Sequence, residues 1–168
     1  MLRLGRPAPT IEEMPGPSVK AVLAGGLIDY AWVEFLELLT PGYTGNDLYA
    51  LVLLTELSKN RWFDIATATE LLQLNETEAR SAVESLMAVR FQEEPVIALV
   101  DGIPPDSASA WCFTRTAGSG LAQAIARNGG NRDRAVNRDA VALHWARARG
   151  RVSSTELGSI LGVAPSNL

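Results

Sequence analysis

The sequence predicts a mainly α-helical fold with a small β-hairpin (α+β): a winged helix-turn-helix followed by a second, incomplete helix-turn-helix. Three observations carry this. Side chains suited to helix N-caps, among them Asp64, Asn75, Thr114 and Ser153, stand just ahead of short amphipathic stretches. PVIALV (95–100) and WCFT (111–114) read as two strands around a Pro/Gly/Ser loop at 101–110, the pair that makes a wing. A shift of 89 positions (157 − 68) places Leu157 on Ala68, Ile160 on Leu71, Leu161 on Leu72 and Val163 on Leu74, so one motif occurs twice.

Taken in order, residues 1–17 hold Pro7, Pro9, Pro15 and Pro17 with Gly5 and Gly16, a composition that favours an extended linker. Residues 18–43 give a strand (18–24) and a helix (27–39) that pack on the next domain. Asp29 is a cap for this helix and Thr40-Pro41-Gly42 ends it. Tyr30, Trp32, Val33, Phe35, Leu36 and Leu39 cover so much of its surface that burial on more than one side is expected.

The winged-helix domain is assigned to 44–127. Its first helix, 47–60, follows Thr44 and Asn46 as caps and lines up Ala50, Leu53, Leu54 and Leu57. Thr67–Glu70 and Asn75–Glu78 both have capping-box spacing. Past the turn, Ala79, Val83, Leu86 and Met87 form an inward face, opposite Thr77, Arg80, Ser81, Glu84 and Ser85. The helix from Thr114 to Arg127, capped by Thr114 or Thr116, carries Gly118 and Gly120, which cost helix propensity but permit close approach to a neighbour.

Residues 128–137 are polar and glycine-containing, and read as a linker. The second unit, 138–168, opens on Asn137 as a cap and closes its first helix on Gly150. A capping box at Ser153–Glu156 follows, then Leu157, Ile160 and Leu161 facing inward, Gly162 at the turn, and Pro165 at the first position of a further helix.

Composition sets the bounds. At 168 residues with 47% hydrophobic and 20% charged, the chain suits one large or two small core-forming domains. No run reaches the length of a membrane span and MLRLGRPAPT lacks the apolar segment of a signal peptide, so no membrane partner and a cytoplasmic location are expected. One cysteine and one histidine exclude an internal disulfide and argue against structural zinc. Cys112, within a strand, reads as a small buried hydrophobe, and His144 as a helix-surface residue without a catalytic partner. There is no phosphate-cradling Gly/Lys motif and no metal cluster, so no catalytic residue, metal or cofactor is predicted, and the chain does not read as an enzyme. The net charge of −4 hides an asymmetry. Residues 1–106 carry seven Lys/Arg against sixteen Asp/Glu, whereas 107–155 carry eight Arg against two Asp, so phosphate is favoured in the C-terminal third.

GPSVKAVLAGG (16–26), WFDIATATELLQLNETEARSAVESL (62–86) and above all ARARGRVSSTELGSILGVAPSNL (146–168) resemble the C-terminal winged-helix regions of actinobacterial transcriptional regulators. Those regulators carry an AlbA-type (Schlafen-like) DNA-binding domain upstream and are also labelled RecG-like. The resemblance implies an upstream domain as partner and no catalytic residues. Because Pro165–Leu168 barely begins the third helix of the second module, a continuation of roughly 40 residues is expected to complete it.

Two functions follow. The first is a fragment of a DNA-binding transcriptional regulator with tandem winged-helix modules and double-stranded DNA as partner. Its contact residues would be Thr77, Arg80 and Ser81 in the first unit, and Arg147, Arg149, Arg151, Ser166 and Asn167 in the second. Against it, Arg80 stands beside Glu76 and Glu84, and the wing GIPPDSASA has no basic residue. The alternative is a protein-interaction or dimerisation module of a larger regulator, as a homodimer or otherwise, using 27–39 and its aromatics as the contact surface.

Overall fold

The computed structural model describes residues 2–6, 10–16, 18–22, 25, 27–40, 47–128 and 137–164. After a 3-10 turn at Leu2–Leu4 come β1 (Thr10–Met14), β2 (Ser18–Val22), α1 (Tyr30–Glu37), α2 (Leu48–Asn60), β3 (Trp62–Asp64), α3 (Ile65–Leu72) and α4 (Glu76–Ala88). The chain continues through β4 (Arg90–Phe91), β5 (Glu94–Pro95), β6 (Ile97–Leu99), β7 (Ala110–Phe113), α5 (Arg115–Arg127), α6 (Arg138–Arg149) and α7 (Ser154–Leu161). This is the α+β arrangement expected, with α2–α3–α4 as the first helical unit and β6–β7 as the wing.

Local chemistry sets the helix ends. Asp29, Asp47, Asp64, Asn75, Thr114, Asn137 and Ser153 each accept a hydrogen bond from the backbone N–H three residues on, satisfying an amide the helix itself leaves unpaired. Asn75–Glu78 and Ser153–Glu156 form full capping boxes. Thr67 does not: it lies inside α3 and its hydroxyl donates to Asp64 Oδ1 at 2.9 Å, so Asp64 alone caps the helix. Likewise Asp47, rather than Thr44 or Asn46, caps α2; those two residues lie outside the described residues, as do Pro41, Gly42 and the linker residues 129–136.

The sheet is antiparallel with strand order β3–β7–β6, Trp62 standing opposite Cys112 and Ile97 opposite Phe113. Because successive strand residues point to opposite faces, Phe63, Ile97, Trp111 and Phe113 share one face while Trp62, Val100, Ala110 and Cys112 share the other. The inner face carries the main core, built with Trp32 and Phe35 of α1, Leu53, Leu54 and Leu57 of α2, Val83 and Leu86 of α4 and Leu121 of α5. Each such side chain contributes about 1.5–3 kcal/mol on full burial. Phe91 stacks on Phe35, centroids 5.5 Å apart, and its ring fills the space left by Gly120, where a Cβ would come within 2.1 Å of Phe91 Cζ. That glycine is what brings α5 onto the core, as the sequence suggests; Gly118 has ordinary clearance, 3.8 Å from Phe113 Cβ.

The outer face is covered too. Val141 and Trp145 of α6 and Ile160 of α7 pack on Trp62, Val100, Ala110 and Cys112, with Trp145 edge-on to Trp62 at 4.8 Å. Hence all four residues of β7 are buried. The second unit is thus a layer on the back of the wing sheet.

The internal repeat holds to the residue. Adding 89 to the bounds of α3 gives those of α7, and to its caps Asp64 and Gln73 gives Ser153 and Gly162. The C-caps of α2 and α6, Arg61 and Gly150, are also 89 apart and both left-handed (φ 69° and 67°).

Several expectations are corrected. The strand read at 18–24 is present as β2, but it pairs with β1 (Thr10–Met14), which lies in the stretch read as a linker: Pro15 and Gly16 stand in the turn, Glu12 pairs with Lys20 across it, and every residue of both strands is exposed. Helix α1 starts at Tyr30 instead of Leu27 and buries one face only, with Leu27 96% and Tyr30 65% exposed. Met87, expected to face inward, is 38% exposed.

Candidate functional site

The predicted DNA contacts divide into two groups that the fold keeps on opposite sides of one sheet. Thr77, Arg80 and Ser81 sit on the exposed side of α4, whose other side packs into the inner core. Arg80 is held by Glu76 one turn back, Nε at 3.0 Å and Nη2 at 2.6 Å from Oε1. With Glu76, Glu84 and Ser85 beside it, this helix offers phosphate one already neutralised guanidinium.

The second group sits on the outer layer and is itself divided. Arg147 is exposed on α6. Arg149 turns inward: its side chain is 12% exposed, and its guanidinium lies 5.7 Å from the Trp62 ring centroid and 5.0 Å from that of Trp145. Two aromatic faces around a guanidinium stabilise it by the attraction of ring quadrupoles for a cation. Nη1 donates to the Ala108 carbonyl at 2.7 Å, and Nη2 lies 3.8 Å from Oδ2 of Asp64, whose Oδ1 caps α3. Arg151 donates to the Gly102 carbonyl at 3.2 Å and pairs with the Glu156 carboxylate. Ser166 and Asn167 lie outside the described residues.

The Glu156 side chain is only 1% exposed. Burial pushes its carboxyl up, but hydrogen bonds from Arg151 and from the hydroxyl and backbone of Ser153, together with the Arg151 charge, outweigh that and hold it below the ordinary carboxylate range.

What these residues build is a clamp on the wing loop, 101–109. Arg149 holds it at Ala108, Arg151 at Gly102, and the Ser159 hydroxyl accepts from the Asp101 amide at 3.1 Å. Gly102 has φ 83°, a left-handed conformation suited to glycine, and a Cβ there would meet Thr155 at 3.0 Å. Beneath the loop, Cys112 Sγ lies 3.6 Å from the Ser159 carbonyl; burial first, then the nearby Asp101 charge, push its thiol up to about 11 against the Ser159 hydrogen bond. The thiol is a packing group, as the sequence reading has it.

The residues that sequence reasoning missed are those of the clamp: Ser159, Glu156 and the carbonyls of Gly102 and Ala108. Arg149 and Arg151 were singled out for their charge, which the fold spends on the wing. Aromatic residues at 62 and 145 are the only local signal, and nothing in the spacing shows that they meet.

No protein-family profile and no curated protein matches the chain. Among solved structures it is similar to the DIP2311 protein from Corynebacterium diphtheriae, with a TM-score of 0.78 and 21% identity over 99% of this chain and 29% of that one. The chain therefore spans less than a third of the solved chain it resembles, and the likeness is one of fold.

Proposed function

We propose that this chain is a protein-interaction module of a larger DNA-binding transcriptional regulator, a winged helix whose wing is closed and which does not itself read bases. The observation that carries this is the clamp: three points of the wing loop are engaged by Arg149, Arg151 and Ser159. A wing so held, with Asp101 and Asp106 in its loop, meets phosphate poorly. The contact surface lies at the N-terminal end. Of the fourteen large hydrophobic residues exposed among the described residues, nine fall between Ile11 and Tyr49. An isolated two-stranded hairpin is at best marginally stable in water, so β1–β2, bearing Ile11, Met14, Val19 and Val22, gains from being covered.

The partner we favour is the remainder of the parent regulator, of the AlbA-type family the sequence resembles, in the cytoplasm. The small share of the DIP2311 chain that is matched supports a multidomain parent.

A direct DNA role for the second unit has its own support in Arg138 and Arg147, both exposed on α6. Fluorescence anisotropy of the chain with a 30-base-pair duplex at physiological salt separates the readings. We expect no sequence-dependent binding. Tight, sequence-specific binding by the intact chain would overturn the interaction reading, whereas light scattering showing self-association through β1–β2 would make the partner a second copy.

A further inference from the structure

We infer that α6–α7 is a latch that undocks from the wing sheet as a unit while the first helical unit stays folded, and that undocking unmasks a basic segment able to take duplex phosphate. This rests on the closed-wing reading above and adds a second state to it.

Three observations support an independent opening. The latch is held by few groups: α6 buries only Val141 and Trp145, and α7 only Glu156, Gly158 and Ile160. The inner core needs none of them, since Phe63, Trp111 and Phe113 face the other way and are packed by α1, α2, α4 and α5. Finally, the polar ties to the wing end on exposed backbone of residues 101–108, which water can satisfy once the latch leaves.

Charge gives the opening a consequence. Docked, Arg149 lies beside Asp64, a residue of the first unit, and Arg151 is bound to Glu156 and the wing. Undocked, Asp64 stays behind, still capping α3 through Thr67. The described segment 137–164 then carries Arg138, Arg147, Arg149 and Arg151 against Asp139 and Glu156. Arg149 is thereby freed from its carboxylate, while Arg151 keeps Glu156, which travels with it; with the exposed Arg138 and Arg147, the freed Arg149 gains more from phosphate than from water, with the steep salt dependence of counterion release.

Cys112 reports the motion directly, because the sole cysteine of the chain sits under Ser159 and is exposed when α7 lifts. The experiment measures the alkylation rate of Cys112 in the full chain against urea, and duplex affinity at low salt, for wild type and Trp145→Ala, a neutral change that keeps all four arginines. Ser159→Ala serves as a milder second variant. In wild type the labelling rate should rise at urea concentrations too low to unfold α2. Trp145→Ala should raise it at least tenfold with the helical signal of the first unit intact, and should bind a 30-base-pair duplex at least tenfold tighter, an advantage that fades as salt is added. Labelling that occurs only at the global unfolding rate in both variants overturns the latch. Faster labelling without tighter duplex binding overturns the unmasking of charge while leaving the interaction reading intact, because that reading fails only if wild type binds specifically.

Discussion

The two copies of the repeat have matching helix ends and unequal self-sufficiency. In the first, α2 buries six residues along its length, and α3, α4 and the sheet close over it. In the second, the corresponding helix α6 buries two, and the apolar surface that covers them belongs to the first copy. Caps and turns specify that helices form; whether those helices make a domain depends on how much apolar surface each brings. The second copy therefore behaves as a covering layer, and its cations are drawn into holding it in place.

Breaking the core on either side of the sheet should expose this inequality. Leu54→Ala, on the inner side where Leu54 is fully buried, should cost about 2–5 kcal/mol and lower hydrogen-exchange protection in both copies, since the outer layer has nothing to sit on without the sheet. Trp145→Ala should cost about 3–5 kcal/mol within the outer layer, stripping protection from α6 and α7 and sparing α2 through α5. Equal loss of protection in α2 would show that the copies unfold together.

Gly120→Ala sharpens the contrast from inside the first copy. A methyl group there has to displace the stacked Phe91 ring, costing about 1–3 kcal/mol, partly offset by the better helix propensity of alanine. The urea midpoint should fall, whereas the same change at Gly118, with its ordinary clearance, should leave it level or raise it.

Glu156→Gln tests the clamp electrostatically. Loss of its charged hydrogen bonds should cost about 1–3 kcal/mol at neutral pH. The folded carboxyl titrates below its ordinary value of about 4.3, so its contribution is present above that pH and is lost as pH falls through the folded value. Wild type and variant should therefore differ in stability at pH 7 and converge in acid. The smallest effect belongs to Arg80→Ala: an exposed pair one helical turn apart should change stability by under about 0.5 kcal/mol.

The helix ends were legible because capping is local: Asp29, Asp64, Asn75, Thr114, Asn137 and Ser153 each act within three residues of themselves. The wing was legible from two short, largely apolar runs on either side of a Pro/Gly/Ser loop. Of the hairpin β1–β2 only the second strand was legible, within 18–24; β1 was not, because the prolines and glycines around it match those of a linker and its residues gain nothing from burial that a pattern could show. The β4–β5 turn places Gln92 and Glu93 at φ 50° and 72°, positions where Asn-Gly would have announced a hairpin. The candidate site suffered most. Charge marked Arg149 and Arg151, but their destination depends on Trp62 and on wing carbonyls more than forty residues away in the chain, and no local period encodes such a meeting.

A strand buried on both faces also orders the chain in time. The outer layer cannot gain its apolar contacts until β3, β7 and β6 have paired, and those strands end at Phe113, well ahead of Trp145 and Ile160 in the direction of synthesis. The first copy can be complete while the second is still emerging, and the second then closes on a finished template. Until it does, Trp62, Val100, Ala110 and Cys112 form an uncovered apolar strip, the one moment at which this fold is most open to the wrong partner.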